Sequence, residues 1–209
     1  MNVRLEGVGK RFNTEWIFRD ISFSFGEGEA VAILGRNGSG KSTLLQIIAG
    51  NLHPTSGSVT YELGGKPVDT AAIFPHVALV APYLEIIEDF TLREMLDFHF
   101  AFKRYLPGHD RESVTGLLRF PSMRQKQIRH FSSGMKQRLK LVLAILSDVP
   151  LLLLDEPTMN LDRNGIEWYL ELISGFRQNR TLVICSNLKE TESAFAVKAL
   201  EIENYKQNP

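Results

Sequence analysis

Gly35-Arg36-Asn37-Gly38-Ser39-Gly40-Lys41-Ser42 is the stretch on which the reading of this chain turns. It fits G-x-x-x-x-G-K-[ST], the phosphate-binding loop. Ala30 to Leu34, just before it, is an unbroken apolar run of the kind that forms a strand buried on both faces. Thr43 to Ala49 reads as a helix, and Gly50 stands where a C-terminal cap would. Strand, glycine loop and helix in that order are what a polyphosphate site needs. The three glycines let successive backbone N–H groups turn inward, and the helix N-terminus adds partial positive charge. Lys41 is expected to reach the β- and γ-phosphates, and the Ser42 hydroxyl to ligate Mg²⁺. A glycine-rich turn could match by accident, but the flanking strand and helix argue against it.

Working outward, the 209 residues suit one domain with a full core. Apolar content of 44% and charged content of 23% are ordinary globular values. Lysine plus arginine and aspartate plus glutamate number 24 each, so overall charge does not mark a polyanion binder. Between Lys103 and Lys140, however, ten basic residues face only Asp110 and Glu112. That run is either a solvated face or a surface that meets phosphates, lipid headgroups or an acidic partner. The single cysteine, Cys185, falls in the apolar run Thr181–Cys185 and reads as a buried thiol. No signal peptide is read at the N-terminus, and no apolar run approaches the roughly 18–20 residues of a membrane helix. A soluble, cytoplasmic chain is expected; any membrane work would need a second chain to span the bilayer.

The remaining elements follow by pattern. Val3, Leu5, Ile21, Phe23 and Phe25 alternate with polar residues, and Ser58 to Leu63 adds another strand, which predicts an antiparallel sheet beside the nucleotide core. Val77–Val80 and Leu151–Leu154 read as buried strands. Helices are predicted over 91–105, 111–119, 133–146 and 166–178. The end, from Asn204 to Pro209, is expected to fray.

Asp155 and Glu156 close the Leu151–Leu154 strand. Carboxylates at the C-terminal end of a buried parallel strand project into the ligand crevice of such sheets. Asp155 is expected to hold Mg²⁺ through water, and Glu156 to orient or deprotonate the attacking water. Two acidic residues capping a core strand would be the plain alternative. Upstream lies Phe131-Ser132-Ser133-Gly134-Met135-Lys136-Gln137-Arg138, and downstream Asp155-Glu156-Pro157-Thr158-Met159-Asn160-Leu161-Asp162. The first resembles the L-S-G-G-Q signature of ATP-binding cassette (ABC) proteins, and the second resembles their Walker B and D-loop run. Order and spacing match over essentially the whole chain.

The resemblance implies an α/β P-loop NTPase fold: a three-layer sandwich with a parallel core sheet, a small antiparallel β subdomain and a helical subdomain. Residues 1–209 would form one ABC ATPase domain, with the nucleotide-binding core in 1–84 and 131–209 and the helical part in 85–130. Gly35, Arg36, Asn37, Gly38, Ser39, Gly40, Lys41, Ser42 and Thr43 would bind ATP. Two cassettes, as a homodimer or a heterodimer, would close head to tail on ATP, with Ser132, Ser133 and Gly134 of one meeting the γ-phosphate held by the other. Ser132 also suits a plain helix N-cap, and the two roles are compatible. Phe12 sits where the family places an aromatic against adenine; core packing is the alternative.

Two positions depart from the family. Pro82 stands where the family has a glutamine, and Tyr83 and Glu85 are the nearby substitutes. Asn187 replaces a histidine after the Thr181–Cys185 strand; it can donate a hydrogen bond but cannot carry charge. Glu156, Lys41 and Asn187 remain as the catalytic set, and the expectation is hydrolysis that is slow or that needs a transporter partner for full assembly. The 85–130 segment, with Phe98, Phe100, Phe102 and Tyr105, would dock on an integral-membrane permease supplied in trans, which would place the chain at the cytoplasmic face of an inner membrane. Two alternatives are a non-transport ABC ATPase acting on nucleic acid or ribosomes and an ATP-binding switch. The coiled coils or paired cassettes of nucleic-acid members are not found in the sequence, so no stable nucleic-acid partner is expected.

Overall fold

The computed structural model describes residues 1–120, 126–177, 179–187 and 195–206. The chain divides into two compact units. One comprises Met1–Ala81, Pro150–Glu156 and Asn179–Pro209; the other comprises Pro82–Val149 and Pro157–Gln178.

The first unit holds two sheets. Strands β1 (Asn2–Phe12), β2 (Glu15–Phe25), β4 (Ser56–Leu63) and β5 (Lys66–Val68) pair antiparallel in the order β2-β1-β4-β5. Val3, Leu5, Val8, Phe18, Ile21 and Phe25 are buried while their polar neighbours face out, as the alternation predicts. Strands β3 (Ala30–Leu34), β6 (Val77–Val80), β7 (Leu151–Asp155), β8 (Thr181–Ser186) and β9 (Lys198–Glu201) form a parallel sheet in the order β6-β7-β8-β3-β9. Its central strands are buried at nearly every position, which is why they read as continuous apolar runs. Helix α1 (Lys41–Ile48) packs on β7 and β8 through Leu44, Leu45, Ile47 and Ile48, and one core cluster joins these residues to the inner face of the antiparallel sheet. Tyr61 of β4 ties the two: its hydroxyl donates to the carbonyls of Ile47 and Ile48, in the last turn of the helix, at 3.3 and 3.0 Å. Burial there pushes the Tyr61 hydroxyl up to about 12.

The second unit is helical: α2 (Leu92–Phe102), α3 (Arg111–Leu117), α4 (Ser133–Ile145) and α5 (Arg163–Phe176), with α4 packed on α5. Trp168 of α5 donates its indole N–H to the Leu117 carbonyl at 2.8 Å, fixing α5 to the end of α3. Each of α2, α3 and α5 starts on a side-chain cap, from Thr91, Asp110 and Asp162 respectively.

Several boundaries differ from those read in the sequence. Helix α1 begins at Lys41 rather than Thr43, because the loop turns directly into the helix at Gly40. Helix α2 stops at Phe102 and α3 at Leu117, short of the predicted 105 and 119. Helix α4 ends at Ile145, and α5 starts at Arg163 because Asp162 caps it. Strands β5 and β9 were not predicted: Lys66–Val68 is short, and Lys198–Glu201 reads as polar because only Leu200 is buried. The predicted tail beyond Lys206 and the last residue of the predicted 166–178 helix lie outside the described residues.

Candidate functional site

Strand β3 delivers the glycine loop to the C-terminal edge of the parallel sheet. Two carbonyls of the loop, those of Gly35 and Arg36, accept hydrogen bonds from the Lys41 ammonium at 2.8 and 3.1 Å. Ser39 N–H donates to the Arg36 carbonyl at 3.1 Å, closing the turn. Gly40 stands at the N-cap of α1 with φ 106°, and a Cβ there would lie 2.6 Å from Ile17 Cγ2. Only glycine fits both demands. Helix α1 therefore starts with no side-chain cap and no acidic residue in its first turn. Lys41 is buried, Ser42 and Thr43 are half-buried, and Arg36, Asn37 and Gly38 are exposed. The Ser39 hydroxyl is buried without a hydrogen-bond partner among the described residues. Such an orphaned donor costs about 1–3 kcal/mol, and a phosphate oxygen in the loop would recover it.

The carboxylates arrive on the neighbouring strands. Because β8 lies between β3 and β7, the ends of all three meet at one edge: Leu34 pairs with Ser186, and Asp155 with Cys185. Asp155 is 1% exposed at the end of β7. Glu156 follows in the left-handed region (φ 46°), its N–H donating to the Cys185 carbonyl at 3.0 Å. A non-glycine residue held there is strained, and such strain gathers at functional sites. Asn187, the residue after β8, is half-buried beside the loop strand's end. The thiol of Cys185 is buried and donates to the Lys41 carbonyl at 3.7 Å, so it packs rather than reacts.

Phe12 ends β1 and is 47% exposed, so it does not pack in the core. Its hairpin partner β2 presses Ile17 and Phe18 toward Gly40, which brings the hairpin to the loop. Lys10 lies 5.0 Å from the Phe12 ring centroid and donates to the His53 carbonyl at 2.8 Å.

Sequence reasoning missed a third set of residues, from the turn Ile202–Tyr205. Glu203 Oε1 accepts the Arg36 N–H at 3.1 Å, and Lys206 donates to the Gly38 carbonyl at 3.4 Å. Ile202 is buried against Gly35, where a Cβ would lie 2.8 Å from Ile202 Cγ2. No motif marks these residues; only the unpredicted pairing of β9 with β3 brings them to the loop.

In the helical unit the Ser132-Ser133-Gly134 turn opens α4. The Ser132 hydroxyl accepts the Met135 N–H at 3.2 Å, the N-cap role, and Ser132 and Ser133 are exposed. Gln137 donates to the Pro157 carbonyl at 2.9 Å, and a Cβ on Gly134 would come within 3.1 Å of the Asn160 carbonyl. The signature turn and the 157–162 loop are thus locked together. Pro82, Tyr83 and Glu85 are exposed. Four of the ten basic residues of the run are paired: Arg111 with Asp97, Arg119 with Glu171, Arg129 with Asp89 and Lys136 with Glu88. Lys103 is buried, which pulls its ammonium down to about 8, and Arg124 lies outside the described residues. Of the aromatics, Phe100 stacks on Tyr105 at 3.6 Å, whereas Phe98 and Phe102 are 43% and 63% exposed and meet edge to face.

The sequence profile described as "ABC transporter" matches residues 18–159. The Nod factor export ATP-binding protein I of Rhizobium johnstonii is 31% identical over 195 residues, covering 90% of this chain and 62% of that protein. An uncharacterised ABC transporter ATP-binding protein of Bacillus subtilis is also 31% identical, with 89% and 61% covered. The chain therefore spans about three fifths of the length of these relatives. Among solved structures, a dimeric post-hydrolysis state of the ATP-binding cassette MJ0796 with ADP and phosphate superposes with TM-score 0.80 at 22% identity, covering 96% of this chain and 95% of that one. A bacterial Atm1-family exporter with ATP bound gives TM-score 0.77 at 19% identity, covering 97% of this chain and 37% of that chain. The fold is the one these domains share.

Proposed function

Since this chain belongs to the ABC transporter family, we propose that residues 1–209 act as one cassette that binds and hydrolyses ATP and couples dimer closure to a membrane permease in trans. The observation that carries the reading is the meeting, at one sheet edge, of an uncapped glycine loop with a buried aspartate and a strained glutamate. The N–H groups of the loop and α1, the Ser39 hydroxyl and the third donor of Lys41 bind the phosphates. Phe12 offers its exposed face to the base. Glu156 orients the attacking water and takes its proton. Ser42 and Asp155 are hard oxygen donors suited to Mg²⁺, and the described residues hold no cluster of three or more His, Cys, Asp or Glu that would cage a metal by themselves. Bound Mg²⁺ would neutralise phosphate charge.

Pro82 and Asn187 leave the water and the γ-phosphate with fewer positioning groups, so turnover is slow. A lost positioning contact costs on the order of 10²-fold. Permease docking is supported by the exposed Ile87, Phe98 and Phe102, an apolar group on the helical unit. No helix among the described residues is long and apolar enough to cross a membrane, so the spanning part would come from the permease. Pairing of four of the ten basic residues with carboxylates reduces the charge a nucleic-acid partner would meet. Steady-state ATPase measurement tests the reading: Glu156→Gln should retain ATP binding and lose turnover, and Lys41→Ala should lose both. Unchanged turnover in Glu156→Gln would refute it.

A further inference from the structure

The parallel pairing of β9 with β3 runs Val31↔Lys198 to Leu34↔Glu201. Continued past the strand ends, the same register sets Ile202 beside Gly35 and Glu203 beside Arg36, where the two contacts of this turn are found. The peptide between Gly35 and Arg36 is trans, so its C=O and N–H point in opposite directions. Its N–H is held by the Glu203 carboxylate at 3.1 Å, and its C=O by the Lys41 ammonium at 2.8 Å. One peptide unit thus lies between a carboxylate and an ammonium, with its dipole aligned to both. Chained hydrogen bonds polarise one another. The next carbonyl, that of Arg36, holds Lys41 at 3.1 Å and the Ser39 N–H at 3.1 Å. Fixing the Arg36 backbone therefore fixes two of the three donors of Lys41 and leaves one for a ligand.

We propose that Glu203 is a positioning residue for Lys41, acting through the Gly35–Arg36 peptide. The inference rests on the reading of Lys41 as a phosphate ligand. Glu203 is anchored from behind: Ile202 is fully buried, Tyr205 packs on the core cluster, and Lys206 ties the turn a second time at Gly38. The Arg36 side chain, 4.0 Å from Glu203, offsets the carboxylate's charge beside an anionic ligand. The role belongs to the hydrogen-bond acceptor and not to the charge, and this separates two variants.

Calorimetric titration of the full chain with ATP and with inorganic triphosphate provides the test. Glu203→Ala should weaken both ligands by about 5- to 20-fold, as expected when a preorganising contact to a binding group is lost. Glu203→Gln, which keeps an acceptor, should stay within about 3-fold of the wild type. Equal affinity in the Ala variant and the wild type overturns the proposal; so does tighter binding in both variants, which would mark Glu203 as a repulsive charge only. If Glu203→Ala does not fold, Glu203→Asp decides: its shorter side chain keeps the charge but falls short of the Arg36 N–H, so both ligands should weaken by about 5- to 20-fold, and wild-type affinity there overturns the proposal. Lys41→Ala separates the two levels of the argument. Unchanged ATP affinity in that variant refutes the phosphate-site reading itself, whereas loss of affinity there with none in Glu203→Ala refutes only the role of Glu203.

Discussion

Helices α1 and α4 both begin in glycine-containing motifs, yet their N-termini are finished differently from one another and from the remaining helices. Helix α1 starts on Gly40 with no side chain on its N–H groups, and α4 starts on Ser132, whose hydroxyl takes one of them. Neither has an acidic residue in its first turn. Elsewhere carboxylates do this work: Glu94 completes the capping box of α2, Asp110 caps α3 and Asp162 caps α5. A carboxylate at a helix N-terminus stabilises the fold by meeting the dipole, but it also fills the place an anionic ligand would take. The chain uses this stabilisation where helix N-termini only hold the fold and withholds it at the two motifs.

The largest expected effect tests the bare end of α1. Gly40→Ala forces an L side chain to φ 106° and into contact with Ile17 and Phe18. Left-handed strain alone costs on the order of 1–3 kcal/mol. ATP affinity should fall more than about 100-fold, because displaced loop amides no longer converge. Denaturant unfolding and nucleotide titration measure the two losses; wild-type affinity in this variant would show that the uncapped end is incidental.

A smaller effect contrasts the C-terminal end of α2. His99 lies in the last turn of α2, where a cation would suit the dipole. Burial instead pulls its imidazole down to about 4, and its Nε2 lies 2.9 Å from the Ser147 hydroxyl, which itself donates to the Leu143 carbonyl at 2.6 Å. Ser147 thus has lone pairs left to accept a proton from neutral His99. Between about 4 and the ordinary 6.5, the unfolded chain binds a proton that the folded chain refuses. Stability is therefore full above 6.5 and declines as pH falls toward 4, by on the order of 3 kcal/mol. Urea unfolding at pH 7.5 and pH 5 checks the sign, and His99→Gln should flatten the slope. ATP affinity at pH 7.5 should be unchanged by that substitution, which separates fold maintenance from ligand binding.

The same division explains what could be read from the sequence. Buried parallel strands announce themselves as apolar runs because both faces exclude water, so β3, β6, β7 and β8 were legible with their attached motifs. Ser132 and Asp155 were legible because caps and strand-end carboxylates are local. Strand β9 was not, since an outer strand with one buried residue carries no apolar run. Glu203 followed it out of sight: its contact with Arg36 depends on a register between segments 167 positions apart. Whether Phe98 or Phe100 faces solvent was likewise illegible, because the stack of Phe100 on Tyr105 depends on where α2 stops.

The smallest change in stability gives the sharpest form of the comparison. At α4 the hydroxyl of Ser132 accepts from Met135 N–H, and we propose that it also offers its own hydrogen to a phosphate. Ser132→Ala removes both and should cost about 1 kcal/mol in unfolding experiments. Ser132→Asp restores the acceptor in the form α3 and α5 use, so its stability should equal or exceed the wild type. The same aspartate puts negative charge where the γ-phosphate of a second cassette's ATP is proposed to sit. Sedimentation of the Glu156→Gln background with ATP should therefore show dimers with Ser132 intact and monomers with either substitution. If Ser132→Asp is both more stable and still dimerises on ATP, the uncharged finish of α4 has no ligand behind it, and Ser132 is a cap and nothing more.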